Sequence, residues 1–358
     1  MKIGLLTTYS FNYGSYHQAV ALQKKLEDMG HDCELINEKI KMYKWMNLFF
    51  MYTFDPILPN FIKNIIGKKI PQYNSFRMIK NDTKDLNVSP ANIKKIKKLS
   101  ERYDCIVIGS DELWSASTDS IRFCPEYFGI GWDIPLISYA TCAIKLTSID
   151  DKMASDIKRG LSGFTAISVR DVKSLENVKK IVPELSVETV IDPTLLNPYF
   201  VPENVKEAKD RYVLLYGQHF DDAQRKYIIE YAKKENAKIC CVGWNQDWAD
   251  EFMNVTTAKE LQETFATASF CFPSTFHGTI FSILNHKQFV AMLNPLRGGK
   301  VKLLLELLKL DNRIFCNDMR EIDKIDYDEV EDKINELRKK SEEYLVNALQ
   351  EVSKGVRK

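Results

Sequence analysis

A histidine at the start of a helix is the feature of this sequence best suited to chemistry. Ser274-Thr275-Phe276-His277-Gly278-Thr279 follows the apolar run Phe270-Cys271-Phe272 and Pro273, and leads into Ile280–Leu284. That order predicts a strand, a break capped by Ser274 and Thr275, and a helix over 275–284. His277 then lies in the first turn beside the amides of Gly278 and Thr279, where free N–H groups and the helix dipole favour an anion. Gly278 has no Cβ, so a ligand can approach the backbone closely. The helix end lowers the histidine pKa and a bound phosphate raises it. His277 can therefore carry a proton when an anionic substrate is present, as a general acid needs. The alternative is a purely structural histidine. His31 and His286 read as surface or loop residues, while His17 and His219 are open in role.

Three further segments place polar residues just past an apolar run. Asn12-Tyr13-Gly14 lies between Ile3–Thr7 and a helical pattern, where a loop can hold an anion at a helix N-terminus. In the plainer reading Gly14 makes the turn and Asn12 caps the helix. One glycine does not make a dinucleotide fingerprint. Gly109-Ser110-Asp111-Glu112-Leu113-Trp114-Ser115 follows Asp104–Ile108. Its small residues leave room at a strand end, and its carboxylates can accept sugar hydroxyls. Asp111 can equally cap a local helix, and Trp114 can be core. Ser168-Val169-Arg170-Asp171 ends on an arginine whose planar fork can grip a carboxylate or phosphate. Its structural alternative is an ion pair with Asp171 or across a domain boundary.

The elements that must position these segments alternate strand and helix. Ile3–Thr7, a helix over about 15–29 and Cys33–Ile36 form a βαβ unit of a parallel sheet. Ala19, Leu22 and Leu26 recur at helical spacing, and Gly30 ends that helix. Strands at Asp104–Ile108, Leu136–Ala140 and Ala166–Val169 continue the series, with a helix at 150–161 and an extended piece at Val190–Ile191. Residues 40–100 interrupt it as an irregular insertion. A second series follows, with strands at Tyr212–Tyr216, Lys238–Val242, Phe270–Phe272 and Phe289–Met292. Helices over 222–235, 258–267, 275–284 and 301–308 alternate with them. The tail from 328 to about 352 reads as one amphipathic helix. The boundaries fall at 1–194, 195–327 and 328–358, giving two Rossmann-like parallel-sheet α/β domains and a final helix. Such domains bind ligands at the carboxyl ends of strands, here in the cleft between them.

Composition narrows the partners. Lys plus Arg is 50 and Asp plus Glu is 49, a net charge of +1, which argues against nucleic-acid binding and leaves room for a local anion pocket. The 8 cysteines show no CxxC or Cys/His zinc spacing, and most lie in strand-like runs. They read as buried free thiols in a reducing cytosol, with no metal site. The start, MKIGLLTTYS, reads as a buried strand and not as a secretory signal. The aromatic stretch 43–62 is broken by Lys44, Asp55, Pro56 and Pro59, so it does not span a membrane. It reads as a packed insertion or lid, or as a surface that leans peripherally on a membrane or lipid-linked substrate. The run Ile93–Lys98 reads as a solvated helix face.

In their order along the chain these segments resemble the polysaccharide pyruvyl transferase family. The matching stretches are Asn12-Tyr13-Gly14 with Gln18-Ala19, Ile108-Gly109-Ser110-Asp111 with Trp114, Ser138-Tyr139-Ala140, Ser168-Val169-Arg170-Asp171, Asp192-Pro193-Thr194-Leu195-Leu196 and Phe276-His277-Gly278-Thr279; Leu303-Leu304 with Leu310, Asn312 and Arg313 follow. The resemblance implies a GT-B-like glycosyltransferase architecture whose last helix returns to the first domain. It implies transfer of a pyruvyl group from phosphoenolpyruvate to a sugar as a ketal, with no metal and no cofactor beyond the donor. The acceptor would be a sugar or lipid-linked oligosaccharide of a surface polysaccharide. His277 would be the acid, and Arg170 would hold the donor carboxylate or phosphate. Asn12, Tyr13, Gly14, Gly109, Ser110, Asp111, Ser274, Thr275, Gly278 and Thr279 would line the substrate site. A nucleotide-sugar glycosyltransferase on the same architecture and a non-catalytic carbohydrate-binding protein are the other readings.

Overall fold

The computed structural model describes residues 1–9, 12–36, 58–82, 88–89, 96–116, 123–203, 205, 208–293, 298–319 and 323–356. Residues 43–57 of the aromatic stretch and 93–95 of the lysine run lie outside them.

Strands apolar on both faces dictate the architecture. β1 (Lys2–Leu6), β2 (Asp32–Ile36), β4 (Cys105–Ile108) and β5 (Leu136–Ser138) are buried along nearly their whole length. Such strands need helices on each face, which is what a parallel sheet supplies. With β3 (Val88–Ser89) and β6 (Phe164–Ala166) they form one sheet in the order β3-β2-β1-β4-β5-β6. β7 (Ser168–Val169) and β8 (Glu188–Thr189) make a small parallel pair beside it. In the second domain β9 (Tyr212–Tyr216), β10 (Lys238–Val242), β11 (Glu251–Met253) and β12 (Phe270–Pro273) order as β11-β10-β9-β12, again in parallel. Each sheet reverses its winding once, between β1 and β4 and between β9 and β12. A crevice opens beyond the strand ends at such points.

The final helix, Tyr327–Val356, leaves the second domain and packs on the first. The Tyr344 hydroxyl donates to the Ser138 carbonyl at 2.7 Å, and Arg338 Nε donates to the Leu195 carbonyl at 2.7 Å. Ser341 Oγ accepts from the Ile191 amide at 3.1 Å. Two Rossmann-like domains with a returning last helix make the GT-B-like fold. Within the insertion, helices Asn60–Lys69 and Pro71–Asp82 are formed. The second one reaches the other domain, since Asp82 Oδ2 accepts from the Ala258 amide at 2.7 Å and Asn81 Nδ2 donates to the Thr256 carbonyl at 3.0 Å. No helix among the described residues is long and apolar enough to cross a membrane.

Local departures from the sequence reading have simple causes. The first helix begins at Tyr13, because Asn12 caps it, so Tyr13 and Gly14 belong to its first turn and not to the loop. The expected strand 166–169 is split into β6 and β7, which belong to different sheets, with Ile167 between them. The extended piece begins at Glu188, as β8. Residues 289–292 pair only through isolated bridges, Cys271 with Phe289 and Ala291 with Ile314.

His17 sits in the interior of the first helix at the domain interface. Its Nδ1 donates to the Tyr13 carbonyl at 2.7 Å, and its ring packs on Phe281 and Phe200, with centroids 4.7 and 5.0 Å away. Burial lowers its pKa to about 4. The unfolded chain takes up this proton near pH 6.5, and the folded chain only near 4. Stability should therefore fall between those values as pH drops, by on the order of 3 kcal/mol. Urea unfolding at a series of pH values checks this, and His17→Leu should flatten the slope.

Candidate active site

The segments singled out by sequence meet where the two crevices face each other. Asn12 Oδ1 accepts from the amides of Gly14 and Ser15 at 2.9 and 3.1 Å. The anion-friendly helix end is thus satisfied by the chain itself, and the capping role of Asn12 is the one observed. Tyr13 is buried against the second domain, close to Gly243. Gly14 is there for a different reason than a turn: a Cβ on it would lie 2.1 Å from His277 Nδ1. The bare α-carbon of one domain is the seat for the histidine ring of the other. Gly14→Ala should unseat that ring and cost about 1–3 kcal/mol of stability, read from denaturant unfolding.

After β4, Gly109 has φ +140, and a Cβ would meet the Tyr139 carbonyl at 2.0 Å. Ser110 is buried, and its amide donates to Gln18 Oε1 at 3.2 Å. Gln18 Nε2 donates in turn to Thr7 Oγ1 and to the Thr8 and Ser15 carbonyls, tying the ends of β1 and β4 together. Asp111 does not cap a helix. Its Oδ2 accepts from Ser15 Oγ at 2.5 Å and Thr8 Oγ1 at 3.3 Å. Burial pushes its pKa up, but the charges of Arg170 and Lys300, that of His277 when protonated, and the Ser15 hydrogen bond outweigh this and hold it below the usual range. Trp114 is core, donating Nε1 to the Tyr127 carbonyl at 2.7 Å.

Arg170 reaches across the domain boundary. Its guanidinium carbon lies 4.4 Å from the centre of the Phe276 ring. Its ion-pair partner is neither Asp171 nor a residue of the second domain. Asp171 caps the helix Val172–Ile181 through the Ser174 amide. Arg170 Nη1 instead donates to Asp192 Oδ2 at 2.9 Å, with the two side chains 4% and 1% exposed. The other Asp192 oxygen accepts from the Thr194 amide at 3.0 Å. Burial raises the Asp192 pKa, but His277, Arg170 and Thr194 together pull it below its ordinary value.

His277 lies in the first turn of the helix Phe276–Leu284, whose N-cap is Thr275. Its Nε2 is buried without a hydrogen-bond partner and stands 3.7 Å from Asp192 Oδ2. Burial depresses its pKa; Asp192 and Asp111 oppose the shift, while Arg170 and Lys300 reinforce it. The free site therefore holds a neutral imidazole at pH 7. The expected amide cradle is not there: the Gly278 amide donates to Thr275 Oγ1 at 3.1 Å. The space a Gly278 Cβ would need is taken by Tyr216, 2.5 Å away. Thr279 is buried and gives its hydroxyl to the Thr275 carbonyl at 3.0 Å. Ser274 packs into the space left by Gly217.

Positive charge comes instead from side chains, one of which the sequence reading passed over. Lys300 begins the helix Gly299–Leu307 and pairs with Glu112 of the first domain, whose other oxygen lies 2.5 Å from Lys145 Nζ. Its field reaches Asp111 and His277. Gly298-Gly299-Lys300 was the available signal, a lysine at a helix start. Asp192 was the other omission. Asp192-Pro193 marks a helix N-cap, and nothing local announces a partner 22 residues upstream.

Facing Rossmann-like domains with cations, a histidine and two carboxylates place a candidate ligand site where such folds bind their ligands. The chain belongs to the polysaccharide pyruvyl transferase family, whose model matches residues 12–295, and is a transferase of that family. No curated protein is a significant sequence match. Among solved structures it is similar to an alpha-glucosyltransferase in complex with UDP and DNA, at 9% identity over 98% of this chain and 95% of that one, with a TM-score of 0.48. It is likewise similar to a putative UDP-N-acetylglucosamine 2-epimerase from Listeria monocytogenes, at 9% identity over 96% and 89%, with a TM-score of 0.48. Likeness at this level says nothing about substrate.

Proposed function

We propose that the chain moves a pyruvyl group from phosphoenolpyruvate to two hydroxyls of a sugar in a surface polysaccharide or its precursor, in the cytosol. The reading is supported above all by one observation: an imidazole nitrogen without a hydrogen-bond partner stands beside Arg170 and Lys300 at facing strand ends. Arg170 gives Nη1 to Asp192 and has further N–H groups to offer the donor's carboxylate or phosphate. Lys300 neutralises the remaining charge. Protonated His277 delivers its proton to the donor's methylene carbon, which becomes a methyl group. One sugar hydroxyl attacks the adjacent carbon, phosphate leaves with its bridging oxygen, and the second hydroxyl closes the ketal. One hydroxyl proton restores His277, and the other leaves with phosphate.

Because His277 is neutral in the free site, it must gain its proton when the anionic donor arrives. Donor binding at pH 7.5 should therefore take up protons, seen as a dependence of the calorimetric heat on buffer ionisation, and His277→Gln should lose that component. Phosphate release from phosphoenolpyruvate with a panel of sugar acceptors, together with a donor-induced thermal shift, tests the reaction. Absence of both sinks the reading, and a shift with a nucleoside diphosphate in its place favours a nucleotide-sugar glycosyltransferase.

A further inference from the structure

The aromatic stretch ending at residue 62 is not used by the proposed reaction, and its described end runs into the helix Asn60–Lys69. That helix and its partner Pro71–Asp82 form a hairpin with a small core of its own, in which Ile66 and Ile70 pack on Tyr73 and Phe76. Asn74 closes against the bare α-carbon of Gly67, where a Cβ would lie 2.0 Å from Asn74 Oδ1. The inward face of the first helix is spent on these contacts, yet its outward face is not polar. Phe61 is 65% exposed and Ile65 is 55% exposed, the two most exposed large apolar side chains among the described residues. They stand one turn apart, and Lys68 and Lys69, both exposed, follow on the same side in the last turn.

The charge around them has one sign. From 60 to 81 the chain carries Lys63, Lys68, Lys69, Arg77 and Lys80 and no acid, in a molecule whose net charge is only +1. A second copy of this chain does not suit the face. Its cations would meet their own kind, and two apolar side chains fall far short of the about 800 Å² per partner that a stable interface buries. A bilayer with anionic headgroups answers both features, because apolar side chains enter the acyl boundary while lysines stay among the phosphates. We propose that this outer face docks the protein peripherally on an anionic lipid bilayer, with Phe61 and Ile65 in the interface and Lys68 and Lys69 on the headgroups. The face shares no residue with the pyruvyl-transfer site and meets lipid as a surface, not as a substrate, so it stands or falls apart from that reading.

The test is co-sedimentation of the full chain with vesicles of phosphatidylcholine, alone or with about one-third phosphatidylglycerol. Wild type should bind the mixed vesicles, should bind pure phosphatidylcholine about tenfold more weakly, and should be released by added salt. Phe61→Ser and Ile65→Ser should each weaken binding about tenfold, the loss of one apolar side chain from the interface. Lys68→Gln combined with Lys69→Gln should weaken it about tenfold and flatten the salt dependence. Val346→Ser, at an exposed apolar position of the last helix, should bind as wild type does. These positions are all exposed, so every variant should melt as wild type does. The proposal is overturned if wild type does not bind the mixed vesicles, if it binds pure phosphatidylcholine equally well, or if Phe61→Ser and Ile65→Ser bind no more weakly than Val346→Ser. Self-association in place of vesicle binding, abolished by Phe61→Ser, overturns it too and gives the face to a second copy.

Discussion

His277→Gln is expected to lower kcat by about 10³-fold while leaving the fold and the affinity for the donor nearly intact. Glutamine keeps the size and polarity of the side chain and removes only the titrating nitrogen. The seat over Gly14 and the stack against Phe281, with centroids 6.2 Å apart, should hold either residue. Single-turnover measurements separate this from a binding defect. An unchanged rate would remove His277 from the chemistry and leave it a structural histidine. Burial depresses its pKa. The rate with saturating donor should therefore fall at high pH, as the proton gained with the donor is lost.

Arg170→Ala is expected to act twice. On the proposed reaction it removes a grip on the donor, and it leaves Asp192 a buried carboxylate with its ion-pair partner gone. Losing one member of such a pair costs about 3–5 kcal/mol. Asp192 has a depressed pKa in the folded chain. Its contribution is fully present above about pH 3.9, the unfolded value, and is lost as pH falls through the native one. The destabilisation should thus be larger at pH 7 than under acid conditions. Adding Asp192→Asn removes the orphaned charge, so the double variant should regain much of the stability and none of the activity. If it regains both, Arg170 serves the fold and not the donor. Arg170→Lys should not rescue, since lysine lacks the planar fork that meets both Asp192 and the Phe276 face.

The parts of this site that could be read from sequence are those whose meaning is local. A strand, a break and a helix around residues 270–284 put His277 at a helix start whatever the rest of the chain does. Arg170 follows from the same logic at the end of β7. The misreadings are equally local. Asn12 and Thr275 are helix caps, and a cap consumes the very amides that an anion would need. Gly278 was read as room for ligand and Gly14 as a turn residue, yet their missing Cβ atoms make room for Tyr216 and His277. What no local pattern carries is which side chain meets which across the fold. The partnership of Asp192 with Arg170 and that of Lys300 with Glu112 depend on strand ends and domains that only the folded sheet order brings together. The alternation of strand and helix, and with it a cleft at the strand ends, was legible, while the order of the strands was not.

The seat beneath the histidine has a consequence for timing. His277 is carried by one domain and the glycine beneath it by the other, so a swing of the domains apart would strand the imidazole away from Gly14. An enolpyruvyl donor caught on the open enzyme would then meet no aligned proton source and would survive until the lobes close. On the proposed reaction, this glycine would couple proton delivery to closure and spare the donor from hydrolysis by stray water.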